Sequence, residues 1–194
     1  VDENTAVNTA GLHAYGKNRY ALEKWVRQNY PTALIVRLPA LFGKNLKKNF
    51  LYDLQHPIPT MLNATKFAEL QGREPLIGNF YDKQDNGFYR CRNLNDKEAS
   101  GLKEILSRLA FSSLNFTDHR SIYQFYPLSR LWSDIEIALK HELTLWHAAT
   151  HPISAGEIYR AVTGEVFENE LPGTPARYNF RTRYSEVFGG HGGY

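Results

Sequence analysis

Cysteine is nearly absent: Cys91 is the only one in 194 residues. An intramolecular disulfide is therefore excluded, and with it the stapled scaffold of small secreted domains. Long apolar runs are missing too. No stretch reaches the roughly eighteen residues that a membrane-spanning helix needs. No signal-peptide pattern is visible, so the expected location is cytoplasmic, with no membrane partner. Charge of one sign is equally scarce. Lys and Arg number 23 against 20 Asp and Glu, a formal net charge of +3, too little to imply nucleic acid. Basic residues cluster only at Lys44, Lys47 and Lys48, where a solvated face and a phosphate-bearing ligand are the two alternatives. Internal repeats are absent. The nearest approach to low complexity is the glycine-rich stretch 189–193, which is expected to be a flexible end.

Aromatic residues are plentiful: 12 Tyr, 11 Phe and 3 Trp. Burying them offsets much of the entropy lost on folding, which argues against disorder. Hydrophobic residues make up 42% and charged residues 22%, as in an ordinary globular protein. The length suits one domain, or a domain with a small lobe.

After a polar loop over 1–12, residues 13–30 follow a helical pattern that Pro31 ends. Ala33 to Leu38 is short, almost wholly apolar and bounded by prolines. It is expected to be a strand buried on both faces, as in a parallel sheet. Short helices are expected over 44–56 and 61–72. A strand or hairpin is expected over 80–94, where Phe88, Arg90 and Arg92 alternate with Tyr89 and Cys91 after Gly87. Asp96 is the expected N-cap of a helix over 97–110. Residues 121–128 are strand-like, and 129–142 read as a helix with Leu131, Ile135, Ala138 and Leu139 on its apolar side. A second buried strand is expected over 144–149. Ser154 is the expected cap of a helix at 155–163, and Gly164 its stop. The tail from 165 has aromatic anchors and no long regular elements.

Tyr15 and Arg19 are four residues apart, one helical turn, and so share a face. A cation there can lower a phenol's pKa and steady the phenolate. A tyrosine so tuned can exchange a proton with a substrate hydroxyl. Tyr20 and Lys24 repeat the spacing. Either tyrosine can equally be a half-buried aromatic that anchors the helix, so spacing alone leaves both open. His147 and His151 are also four apart, but in a strand running into Pro152 and without a third ligand. No metal site is expected from them.

The surrounding strings select the register. Asp2-Glu3-Asn4-Thr5, Tyr15-Gly16-Lys17-Asn18-Arg19 and then Glu23 resemble the extended short-chain dehydrogenases/reductases, the NAD-dependent epimerase/dehydratase family. There an Asp-Glu-x-Thr loop precedes Tyr-Gly-x-Ser-Lys, with a Glu four residues after the Lys. The segment Arg37-Leu38-Pro39-Ala40-Leu41-Phe42-Gly43 is similar to the family's Arg-x-x-Asn-x-Tyr-Gly. The segment from Arg120 to Tyr126, with the helix after it, is similar to Arg-Asp-Phe-x-x-Val and its helix. Order and spacing agree over residues 2–150.

The resemblance implies an α/β fold: the C-terminal part of a Rossmann-type parallel sheet with a small mixed α/β substrate lobe. Residues 1–43 would carry the catalytic helix, and 44–115 the substrate-lobe insertion. Residues 116–150 would return to the sheet, and 151–194 would be a lobe segment and tail. Tyr15 would be the catalytic acid/base and Arg19 the cation beside it. Tyr15, Arg19, Pro39, Ala40, Leu41 and Phe42 would lie near an NAD or NADP nicotinamide. Asn49 and Arg120 would contact a nucleotide-sugar substrate, with Lys47 and Lys48 nearby. A homodimer paired through the tyrosine helix is a further implication, with Trp25 either in its interface or in the core.

This sequence departs from the family pattern. Arg19 stands for the family's Lys, Asn18 for its Ser, Ala40 for its Asn and Phe42 for its Tyr. The family's catalytic Ser or Thr lies before the tyrosine, on a strand outside these residues. No Gly-x-x-Gly-x-x-Gly turn occurs, although in the family that turn cradles the pyrophosphate at a helix N-terminus. The chain opens on Val1, as a processed or partial chain would, and is expected to bind dinucleotide weakly or not at all. Two functions follow: part of an NAD(P)-dependent sugar-nucleotide epimerase, dehydratase or reductase, or a non-catalytic, dehydrogenase-like ligand-sensing or protein-binding module.

Overall fold

The structure, a computed structural model, describes residues 1–194. The first elements are α1 (Ala14–Asn29), β1 (Ile35–Arg37), β2 (Ala40–Phe42), α2 (Asn49–Gln55) and β3 (Met61–Leu62). Next come α3 (Ala64–Arg73), β4 (Tyr81–Lys83), β5 (Tyr89–Cys91) and α4 (Asp96–Arg108). The last are β6 (Ile122–Tyr123), β7 (Phe125–Pro127), α5 (Leu131–Lys140), β8 (Leu145–His147), β9 (Ile153–Ser154) and α6 (Ala155–Thr163). The protein is mixed α/β, with small parallel and antiparallel sheets. No helix is long and apolar enough to cross a membrane. The chain divides into two compact units: 1–46, 122–154 and 176–194 form unit 1, and 47–121 and 155–175 form unit 2.

In unit 1, β1 runs parallel to β8, from Ile35 opposite Leu145 to Arg37 opposite His147. The strand β2 runs parallel to β7, with Ala40 opposite Phe125, and β6 pairs with β9 antiparallel. The β8 residues are all buried. The β1 residues are only half-buried, not buried on both faces, because β8 is the single strand beside them. Tyr126, Ala138, Trp146 and Ala148 form the core, with Val36, Leu41 and Ile135 packed against it. Leu139 does not join the buried face of α5 and is 54% exposed. Asp134 does: its buried carboxylate accepts a hydrogen bond from the Tyr126 hydroxyl and faces Arg130 at 3.6 Å, so its charge is partnered.

The glycine-rich tail is not a loose end. Gly190 N–H donates to the Ser185 carbonyl at 2.8 Å, and Thr182 N–H to that of Gly193 at 2.9 Å. The Phe188 ring, just before it, stacks on Trp146 with centroids 4.5 Å apart.

Unit 2 is built on a hairpin and two helices. The strands β4 and β5 pair antiparallel, and β3 adds to the other edge of β5. Gly87 closes the hairpin with φ 80°, a left-handed conformation that glycine adopts without steric cost. Met61 and Leu62, expected in a helix, are strand residues instead. The helix α3 begins only after Asn63, whose side chain accepts from Lys66 N–H at 2.8 Å. Asn95 rather than Asp96 caps α4, because Glu98, three residues on, reaches back to complete a capping box. Leu70, Ile77 and Leu102 are fully buried, in a core that also holds Phe67, Tyr81, Ile105 and Leu106. The helix α6 ends at Gly164, φ 78°, as expected.

Candidate functional site

The helix α1 presents Tyr15 and Arg19 to solvent. Arg19 Nε donates to the Tyr15 hydroxyl oxygen at 3.2 Å, and its guanidinium carbon sits 5.2 Å from the ring centroid. With the oxygen accepting, the phenol O–H remains directed elsewhere and able to donate. Tyr15 is 65% exposed. The rival pair differs: Lys24 lies over the Tyr20 ring at 5.3 Å from its centroid, and Tyr20 is half-buried. Tyr20 is therefore the more covered of the two, and Tyr15 is the tyrosine open to a ligand.

What holds α1 is polar. No residue of the helix is buried, and Leu22 and Trp25 are each 52% exposed. On the inward face, Glu23 meets Arg37 of β1 in a fork: Arg37 Nε donates at 2.9 Å and its terminal nitrogen at 2.7 Å. Such bidentate pairs fix geometry as well as adding energy. Arg27 adds a longer ion pair to Glu23 at 3.5 Å.

The network continues inward. Arg37 also reaches His147 Nε2 at 3.0 Å. Arginine only donates, so Nε2 must accept, and the ring proton sits on Nδ1. Nδ1 then donates to the Arg181 carbonyl at 3.0 Å. Burial holds the His147 pKa below the ordinary histidine value, opposed by the nearby Glu3 carboxylate. Glu3 Oε1 accepts from His147 N–H at 2.9 Å and from the Thr182 hydroxyl at 2.6 Å. Its other oxygen accepts from Arg183 N–H at 2.9 Å. The N-terminal loop, α1, β1, β8 and the tail are thus joined through charged and polar groups. In the sequence Glu3, Glu23 and Arg37 stand out only as motif positions, and no local spacing marks His147 as their hub, 110 positions from Arg37.

The other expected residues lie as follows. Pro39 precedes β2. Ala40, Leu41 and Phe42 form that strand, Leu41 packs against the unit 1 core, and Phe42 is 37% exposed. Asn49 opens α2 with φ 70°, and its side chain accepts from Leu51 N–H at 3.0 Å. Asparagine tolerates that left-handed conformation. Arg120 is engaged by carboxylates. Its Nε and one terminal nitrogen grip buried Asp118 at 3.0 and 2.7 Å, and the other terminal nitrogen pairs with Glu170 at 2.8 Å. Arg120 holds the Asp118 carboxyl well below the usual range. A phosphate reaching this guanidinium has to displace Glu170.

The residues present fit a dinucleotide only in part. The exposed Tyr15–Arg19 pair offers an O–H and guanidinium donors. The glycine stretch offers no pyrophosphate cradle, since Gly189, Gly190 and Gly193 N–H already donate to Glu186, Ser185 and the Ser185 hydroxyl. His147, turned to Arg37, is not a free metal ligand, and no group of three His, Cys, Asp or Glu is placed to hold a metal ion. No protein-family model matches the chain, and no curated protein or solved structure matches it either.

Proposed function

We propose that this chain carries the proton-handling tyrosine of an NAD(P)-dependent oxidoreductase, epimerase or dehydratase of the extended short-chain dehydrogenase/reductase type, acting on a nucleotide sugar. The observation that carries the proposal is the 3.2 Å hydrogen bond from Arg19 to the hydroxyl of exposed Tyr15. In this reading Tyr15 gives a proton to, or takes one from, a substrate hydroxyl or carbonyl. Arg19 steadies the phenolate that results. The Glu23–Arg37–His147 chain holds the helix so that both side chains keep their positions. The dinucleotide, when bound, supplies the hydride chemistry. No cradle for its pyrophosphate occurs among these 194 residues. The half-buried β1, with one strand neighbour, is consistent with a Rossmann-type sheet that continues beyond β1.

Tyr15→Phe in the intact protein is expected to lower turnover by at least about a hundredfold, the usual worth of a positioned acid/base, with cofactor affinity nearly unchanged. Unchanged turnover sinks the assignment. As it stands, the chain is expected to give no NADH fluorescence change at micromolar cofactor.

A second reading is a non-catalytic module that binds another protein, or a second copy of itself, through α1. Leu22 and Trp25, exposed on that helix, favour it. Analytical ultracentrifugation of the chain and of Trp25→Glu separates the two. A dimer lost in the variant, together with a Tyr15→Phe protein of full activity, supports the module.

A further inference from the structure

A second feature of the molecule stands apart from the tyrosine helix and lies wholly within unit 2. Four segments converge on a cavity of about 510 Å³, within the size range of small-molecule sites. The helix α2 contributes Tyr52 and Gln55, and His56 follows them as its C-cap. The helix α4 contributes Ala99 and Lys103, one turn apart. Arg90 and Arg92 come from β5 and the residue just after it, and Lys47 from the residues before α2.

The charge in this wall has one sign. Lys47, Arg90, Arg92 and Lys103 line it, and no Asp or Glu does. Arg92 is paired, with Asp82 at 2.8 Å. Lys47, Arg90 and Lys103 join none of the ion pairs of unit 2. Asp82 stands opposite Arg90 in the hairpin register, but its carboxylate goes to Arg92. Two acids of α4 are engaged elsewhere, Glu98 in the N-cap and Glu104 with Arg108. The Cys91 thiol in the same wall, pushed up by burial, adds no negative charge near neutral pH.

Four exposed cations gathered around one concave site, with Asp82 the one carboxylate bonded to them, attract an anion there. Arginine and lysine together suit phosphate oxygens, one by its fork and the other as a point charge. One wall is also flat: the His56 ring stacks on Tyr52 with centroids 3.8 Å apart and planes 7° apart. Arg120, the residue expected to meet phosphate, takes no part, and neither does Asn49.

We propose that this pocket binds a small polyanion with two or more phosphate groups, at a site distinct from Asn49 and Arg120. The assignment does not depend on catalysis by Tyr15. The phosphates sit among Lys47, Arg90 and Lys103, with Arg92 free to exchange Asp82 for the ligand.

Isothermal titration of the 194-residue chain with pyrophosphate, with ADP and with inorganic phosphate, at low salt, tests the proposal. Pyrophosphate is expected to bind at least about tenfold more tightly than phosphate, a difference of about 1.4 kcal/mol. Tighter binding of ADP than of pyrophosphate assigns a nucleotide, its base on the Tyr52 wall. The reverse order assigns free oligophosphate, and both support the pocket. Arg90→Glu with Lys103→Glu is expected to weaken binding by more than about a hundredfold, two charge contacts at roughly a tenfold each. Lys47→Glu alone, on an exposed residue, keeps the test open if the double variant misfolds, and is expected to weaken binding about tenfold. Lys83→Glu, in the same unit but away from the cavity, is expected to leave affinity within about twofold. No heat with any of the three ligands at millimolar concentration overturns the proposal. So does equal weakening by Lys83→Glu and Lys47→Glu, which means unspecific attraction.

Discussion

The two units bury their apolar residues differently. In unit 2, α3 and α4 turn Phe67, Leu70, Leu102, Ile105 and Leu106 onto a three-stranded sheet, and the large side chains meet one another. In unit 1 the core is smaller and gathers around Trp146 and Tyr126, while the longest helix, α1, contributes no buried residue. Its Leu22 and Trp25 face outward, and its inward contact is the Glu23 carboxylate on Arg37. Unit 2 is thus held mainly by apolar burial. The helix of unit 1 that carries the candidate site is held by a fork of charged hydrogen bonds. Directional bonds fix a side chain's position more sharply than apolar contact does, which suits the fixed presentation of Tyr15 and Arg19 that the proposed function needs.

The largest expected effect that can break this contrast is in the cores. Leu70→Ala or Leu102→Ala in unit 2 is expected to cost about 2–5 kcal/mol, the usual loss for a fully buried Leu, read from urea unfolding. Leu22→Ala on α1 is expected to stay within about 0.5 kcal/mol, as exposed substitutions do. An equal cost for Leu22 and Leu70 removes the distinction.

A smaller effect separates the units by pH. In unit 1, His147 has its pKa lowered by burial, with Arg37 acting the same way and Glu3 and Asp2 opposing. The unfolded chain therefore binds the proton more readily. Stability from this residue is full above the unfolded value of about 6.5 and is lost as pH falls through it. In unit 2, burial pushes Asp53 up to about 6, opposed by His56. There the folded state binds the proton more readily, so stability is lost as pH rises from about 4 toward 6. His147→Gln is expected to flatten the acid side of the stability profile below about pH 6.5, and Asp53→Asn the fall between about 4 and 6. Identical profiles for wild type and both variants contradict these environments.

Much of the fold is legible where its signals are local. Pro31 ends α1 where expected, the alternating residues after Gly87 form β5, and Gly164 stops α6. The Tyr15–Arg19 contact is legible for the same reason, since one helical turn separates the two. Signals fail where partners are distant in sequence. Met61 and Leu62 look helical beside α3, yet they pair with Tyr89 and Arg90. At α4 the signal is local but ambiguous: Asn95 rather than Asp96 is the N-cap because Glu98, three residues on, completes the capping box. His147 is 110 positions from Arg37, so no window brings them together. For Arg120 the sequence left phosphate contact and an ion pair both open, because Glu170, its second carboxylate, lies in another stretch of the chain. The glycine tail looked loose because its hydrogen bonds are made by backbone, which composition does not report.

The most direct test of the central claim, that α1 is an outward-facing helix anchored by Glu23 and Arg37, is amide hydrogen exchange by mass spectrometry on wild type and Arg37→Met. In wild type, α1 is expected to exchange faster than α3 and α4, and the variant is expected to speed α1 by about tenfold or more while leaving α3 and α4 unchanged, the loss of charged hydrogen bonds of about 1.5–3 kcal/mol. An α1 as protected as α4, or one that does not respond to the loss of Arg37, contradicts the account.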